Sequence, residues 1–404
     1  MGRSDDSTFL RCSCVSFVPA SLIAHLATIA DPRKARGQRY EWLYLLTLIA
    51  AAMLNGESTL VGISQWVSAH AADLVQSLQP VRRRVPSLST LRRALCRVSV
   101  GALEAAVGAY VCSLQAEHGE LGSVTTQTGI RLQGQAVDGK TVRCATAHGP
   151  VVHLVAVVSH EDGLVLRQQN VRAKLSEPTA AQALLEQLPL AGTVTTFDAL
   201  HTSRKQAEQI RSGGGHYLFV VKRNQRSLYD EIDEVFAVLP PANADDAEFW
   251  QYEALTLDEQ GHGRTTHYHL ESTAALNRYL DFPDVGQVVR RTRRVYYHHT
   301  RKTTQRSEYL ITSLTRSDVS LAQIAHLRRR HWTIENGTHY PRDVSFGEDR
   351  CQVHSGTAPQ ALAAFRNAVA ALLHIEGWPY LPNAFRFCRS NLQTTLRYLG
   401  LPAT

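Results

Sequence analysis

Between residues 125 and 223 the hydrophobic pattern changes its period in a fixed order, and that order constrains the fold more than any other feature of the chain. IRLQGQAVDG (130–139) alternates like a strand, and VVHLVAVVSHEDG (151–163) and LVLRQQNV (164–171) read as two strands joined by a Glu161-Asp162-Gly163 turn. TAAQALLEQLPL (179–190) is helical, GTVTTFD (192–198) is a β-branched strand, HTSRKQAEQIRSGG (201–214) is a helix with a glycine stop, and HYLFVVK (216–222) is a further strand. Three antiparallel strands followed by helix, strand, helix, strand bring the ends of the first and fourth strands side by side. Both of those predicted strands end on aspartate, Asp138 and Asp198.

This is the element order of a ribonuclease H-like α/β fold. The regions around it differ in pattern. Residues 1–120 read as an all-helical N-terminal DNA-binding region, with three-to-four spacing through 21–29, 41–54, 59–78, 87–97 and 101–116. Residues 121–223 form the first part of the catalytic core. Residues 224–320 are a β-rich insertion with a basic face, after one helix and the loop PPANADD. Residues 321–378 return to helix as the second part of the core, and 379–404 are a C-terminal tail.

Composition sets the partner class. The 404 residues carry a net charge of +7, concentrated in Arg82–Arg84, Arg92/Arg93, Arg290–Arg294, Arg328–Arg330 and similar clusters. Repeated arginine clusters suit a polyanion, since each neutralises phosphates and releases counterions, although any single one is equally a solvated face. In PSLSTLRRAL (86–95) Ser87 or Ser89 caps a helix that opens with Thr90, Arg92 and Arg93, a layout resembling a major-groove reading helix. Seven cysteines without a Cys-x-x-Cys pair indicate neither a zinc ribbon nor a disulfide framework. The longest apolar run, residues 43–54, is too short for a bilayer. These features predict an intracellular, cytoplasmic and nucleoid-associated protein with no membrane partner.

Phosphodiester chemistry needs divalent cations at the attacking and leaving oxygens, and Mg²⁺ prefers carboxylates on rigid elements. Asp138 and Asp198 fit that need, and Glu335 in HWTIEN supplies a third acid from the last helical region. Each also has a plainer reading: Asp138 as a turn residue before Gly139, Asp198 as a helix N-cap, Glu335 as half of an exposed ion pair. Asp343, Glu348 and Asp349 are rivals for the third position. Trp332 reads as helix-packing core.

The blocks DPRKARGQRY, PSLSTLRRAL, AVDGKTVR, FDALHTSRKQAEQI, GGHYLFVVKRNQ and HWTIENGTHYPRDVSFGEDRCQVHSG occur in this order. Together they resemble the DDE transposases of bacterial insertion sequences, in the subfamily that includes the H-repeat-associated proteins. The resemblance covers nearly the whole chain. It implies a catalytic triad of Asp138, Asp198 and Glu335 that binds Mg²⁺, with Mn²⁺ as a substitute. It further implies nicking and 3′-hydroxyl strand transfer on double-stranded DNA, acting on terminal inverted repeats and target DNA, as a dimer assembled on DNA. The wider group's Tyr, Arg, Glu, Lys signature falls on Arg328, His331, Glu335 and Arg342, so the first two positions depart from it. Expected DNA contacts are Arg92, Arg93, Lys140, His201, Lys222, Asn224, Arg328, His331 and Arg342, with Arg143 also beside the first aspartate. A metal nuclease that cuts without joining, and a catalytically inactive DNA-binding derivative, are the alternatives.

Overall fold

The computed structural model describes residues 10–12, 15–18, 20–118, 124–143, 152–171, 177–239, 249–275 and 277–402. The loop PPANADD and two of the cysteines, Cys14 and Cys144, lie outside the described residues.

The N-terminal region is not all helix, since a short antiparallel pair, Leu10–Cys12 with Val15–Phe17, precedes six helices: α1 (Leu22–Leu26), α2 (Trp42–Leu54), α3 (Leu60–Ala69), α4 (Ala71–Leu78), α5 (Leu88–Leu95) and α6 (Val100–His118). Helix α2 is apolar all round, and every residue except Leu43 is buried, as a helix at the centre of a bundle must be. The stretch expected as one helix over 59–78 breaks at His70, which closes α3 and opens α4.

A single large sheet carries the rest. Its strands are β1 (Arg131–Val142), β2 (Val152–Ser159), β3 (Val165–Val171), β4 (Thr193–Phe197), β5 (His216–Val221), β6 (Glu253–Gly261), β7 (Arg264–Thr273), β8 (Gln287–Tyr297) and β9 (Lys302–Thr312). They lie in the order 3-2-1-4-5-9-8-7-6, with Val124–Thr125 added beside β1. Strand β2 runs antiparallel to both β1 and β3, and β1–β4 and β4–β5 are parallel. This is the arrangement expected from the sequence. Helices α7 (Glu177–Leu185) and α8 (Arg204–Ser212) make the crossovers, and α9 (Arg226–Val238) follows β5. Ser203 caps α8 by accepting from the Gln206 N–H, so Asp198 is not the N-cap of that helix.

Two expectations are corrected and a third is refined. Asp138 does not end its strand, because β1 runs on to Val142, held by antiparallel pairing with β2. The β-rich insertion over 224–320 joins the central sheet: β9 pairs with β5 from Tyr309↔Val221 to Thr312↔Leu218, so its four strands extend that sheet. Residues 379–404 are not a tail. After α10 (Leu321–Arg330) and α11 (Ala358–Ile375), helices α12 (Leu381–Ser390) and α13 (Leu392–Tyr398) pack into the N-terminal helical core, with Phe365, Leu373, Ala384 and Leu396 buried among residues of α1 to α6. Asn55 at the end of α2 donates to the Thr395 hydroxyl across that junction. No described helix is long and apolar enough to cross a membrane.

Candidate active site

The parallel register of β1 and β4 pairs Val137 with Phe197, the residue on each strand just before an aspartate. Asp138 and Asp198 therefore stand one step beyond the last pair, on neighbouring strands ~4.8 Å apart. The chain turns away after Phe197, with the His201 N–H returned to the Asp198 carbonyl at 3.0 Å, while β1 continues. Sequence reading captured the adjacency through β4 ending, and it misjudged β1.

Glu335 reaches the same place from the opposite side. Helix α10, started by a capping box between Ser320 and Gln323, gives way to a π-helical stretch, Ile334–His339, that carries Glu335. Asp138, Asp198 and Glu335 line one groove of about 1070 Å³. The oxygens of Asp138 and Glu335 and a ring nitrogen of His339 lie within 4.8 Å of one another. Asp198 stands apart from this trio, its two oxygens accepting from the Lys222 ammonium at 3.0 and 3.3 Å.

The three carboxyl groups are tuned differently. Burial pushes that of Asp138 above its ordinary value, against the pull of the Gly139 N–H and of His339. Burial also works on Asp198, but the Ala199 N–H and Lys222 outweigh it and hold that group low. The hydrogen bond from His339 keeps Glu335 low. An acid trio on rigid elements, one of them already paired with a cation, is a hard-oxygen donor set that fits divalent metal.

The groove's far wall is the basic face of the extended sheet. Arg264, Arg291, Arg293 and Arg306 from β7, β8 and β9 line it, joined by Arg223, Arg328, Arg329 and Lys222. Eight cationic side chains face five acids there, so the lining is net positive. The Arg291 guanidinium lies 4.6 Å from the Tyr268 ring centre, and Arg291 and Arg328 both bind Glu308.

Several of the expected DNA contacts are buried or paired within the protein. His201 is buried, 2.9 Å from a fully buried Glu177 that also meets His153 at 2.5 Å. Arg342 is buried against Glu348 and Gln168. His331 is buried, exchanging a hydrogen bond with Thr196, and burial and then Arg328 lower its pKa to about 4, so it carries no charge near neutrality. All three are buried, His331 at the wall of the groove itself. Asn224 donates to the Ala199 carbonyl and braces the loop after β4. Lys140 donates to Asp343 at 2.6 Å. Arg143 lies 3.7 Å from Asp349 and is exposed. Arg92 and Arg93 are exposed on α5, where Arg92 reaches the Ser355 hydroxyl. Of the rival acids, Glu348 is clamped between Arg342 and Arg366, while Asp343 and Asp349 face Lys140 and Arg143. Trp332 is not core: it is 58% exposed and lines the groove beside Glu335.

Two features escaped sequence reading. His339 stands four residues after Glu335, a spacing that places both on one helix face and that could have flagged it. Glu177, seated beneath Asp138, carries no such signal.

Residues 128–373 match the family described as Transposase DDE domain, and residues 23–111 match the one described as DDE_Tnp_1-associated. The chain is 29% identical over 247 residues to "Putative transposase YncI" of Escherichia coli O157:H7, covering 59% of this chain and 61% of that protein. It is 23% identical to "Putative protein YbfL" of Escherichia coli strain K12, over 87% of this chain and 90% of that one. "H repeat-associated putative transposase YhhI" of the same strain is 26% identical, over 59% of this chain and 63% of that protein. The matches thus span less than two thirds of the length of two of these relatives.

Proposed function

Since the chain belongs to the DDE transposase family, of the H-repeat-associated kind, we propose that it nicks DNA at the ends of an insertion sequence and transfers the freed 3′-hydroxyl to target DNA. The observation that carries this reading is the β1–β4 register, which sets Asp138 beside Asp198 at the edge of an arginine-walled groove that Glu335 also lines. We read the sheet as a ribonuclease H-like core on the same ground.

Asp138, Asp198 and Glu335 hold the divalent cations, Mg²⁺ with Mn²⁺ as substitute, which when bound supply charge neutralisation at the attacking and leaving oxygens. Lys222 donates to Asp198 at the groove wall, where its ammonium is within reach of a phosphate oxygen. Arg264, Arg293 and Arg306 grip the DNA backbone along the groove, fixing its register without reading its sequence. The exposed Arg92 and Arg93 of α5 serve end recognition. Joining two element ends to one target calls for a dimer on DNA.

A supercoiled plasmid carrying the element's ends, incubated with Mg²⁺, tests the reading. Joined products are expected, and Asp198→Asn is expected to abolish them. Nicks alone would indicate a nuclease, binding without cleavage an inactive derivative, and joining that survives Asp198→Asn would refute the site.

A further inference from the structure

We propose that His339 is a direct nitrogen donor to the cation held by Asp138 and Glu335, so that this position prefers Mn²⁺ to Mg²⁺. The inference rests on the reading of the two acids given above.

Geometry is the first support. The candidate ligand atoms of Asp138, Glu335 and His339 lie within 4.8 Å of one another. Donors on opposite sides of an ion at ~2.1 Å stand at most ~4.2 Å apart, so a cluster of this size is on the scale of a shared ion. The Nδ1 of His339 is 2.5 Å from the Glu335 Oε2. A cation entering there replaces the proton between them, and the imidazole keeps its other nitrogen protonated.

The backbone that carries the pair is fixed. The hydroxyl of Thr338 donates to the Gly163 carbonyl at 3.1 Å, and a Cβ on Gly337 would lie 3.1 Å from the Gly163 Cα. The π-helical segment thus rests directly on the β2–β3 turn. His339 is buried, with only 8% of its side chain exposed, and its ring is aimed at two carboxylates. Glu348 is clamped by Arg342 and Arg366, and one oxygen of Asp343 is paired with Lys140, whereas the imidazole of His339 stands in one cluster with the two acids. Imidazole suits first-row transition metals, whereas Mg²⁺ prefers oxygen alone.

Electron spin-echo envelope modulation of Mn²⁺ bound to the full chain tests this without any turnover. Modulation from a coordinated histidine nitrogen is expected, and ¹⁵N-histidine labelling should shift it. His339→Asn should remove that signal and weaken Mn²⁺ binding about tenfold, with a smaller effect on Mg²⁺ measured by competition. Bound Mn²⁺ without nitrogen modulation, or modulation that persists in His339→Asn, overturns the proposal and leaves the acids' role standing. If His339→Asn does not fold, the labelled wild type still decides. Mn²⁺ binding untouched by Asp138→Asn overturns both readings.

Discussion

Replacing Glu348 by glutamine should cost the protein a large share of its stability and leave its cation site chemically intact. The carboxylate is fully buried, with Arg342 Nη2 at 2.7 Å on one oxygen and Arg366 Nη1 at 2.8 Å on the other. Both arginines are themselves buried, and Arg342 also donates to the neutral Gln168. The nearby Glu104, pushed up to about 8 by burial, is neutral at pH 7 and offers no replacement charge. Glutamine keeps the shape but strands two guanidinium groups without a counter-ion. Breaking one buried pair costs ~3–5 kcal/mol, and this change breaks two that share a member, so we expect the upper part of that range. Against a typical total of ~5–15 kcal/mol, that is a shift visible in a urea midpoint at pH 7.

The pH dependence follows from the same contacts. Burial disfavours the Glu348 charge, but Arg342 and Arg366 outweigh it and depress the pKa below 4.5. Stability from this group is therefore fully present above the unfolded-state value and is lost as pH falls through the lower folded value. The variant should lose most of that acid-side dependence. A loss below ~1 kcal/mol at pH 7 would refute the argument that this carboxylate balances two buried charges. If the variant instead stayed stable and lost Mn²⁺ binding, Glu348 would be the third acid, and Glu335 would not.

Two further outcomes follow. Gly139→Ala should destabilise the fold by ~1–3 kcal/mol, since its Cβ would lie 2.7 Å from both the Glu177 carboxyl and the His153 ring, neither of which has room to retreat; a urea midpoint equal to wild type would count against that packing. Arg293→Ala and Arg306→Ala should each weaken binding to unrelated DNA sequences alike and lower the salt slope by ~1, and a sequence-selective loss would contradict a backbone-gripping wall.

How much of this was legible in the sequence depended on whether the signal was local. Periodicity exposed the helices and the strand order, because amphipathic repeats are written into short windows. The two aspartates stood out because an apolar strand leads into each. Where β1 ends was not legible: its residues 139–142 pair with β2, and only the partner reveals that they remain in the sheet. The same holds for the β-rich stretch, whose union with the core depends on β9 meeting β5 across about 90 residues of chain. Charge was harder to place than pattern. Arg342, His201 and His331 carry polar groups expected to face phosphate, and each is buried against a partner that no short window shows, Gln168, Glu177 and Thr196. Trp332 erred the other way, since an aromatic on a helix is usually packed, and here the π-helical start turns it into the groove.

The helical body has a consequence for how the chain is made. Its core needs α11 to α13, whereas α6 ends at His118 and α11 begins at Ala358. At roughly 5–20 residues per second, the intervening stretch of about 240 residues occupies the ribosome for about 12–50 seconds. For that time the first six helices lack part of their hydrophobic partner, while the sheet, complete in its own strands, can close. Assembly therefore runs from the middle of the polypeptide outward, and the exposed faces of α2 and α6 wait for helices made after the sheet.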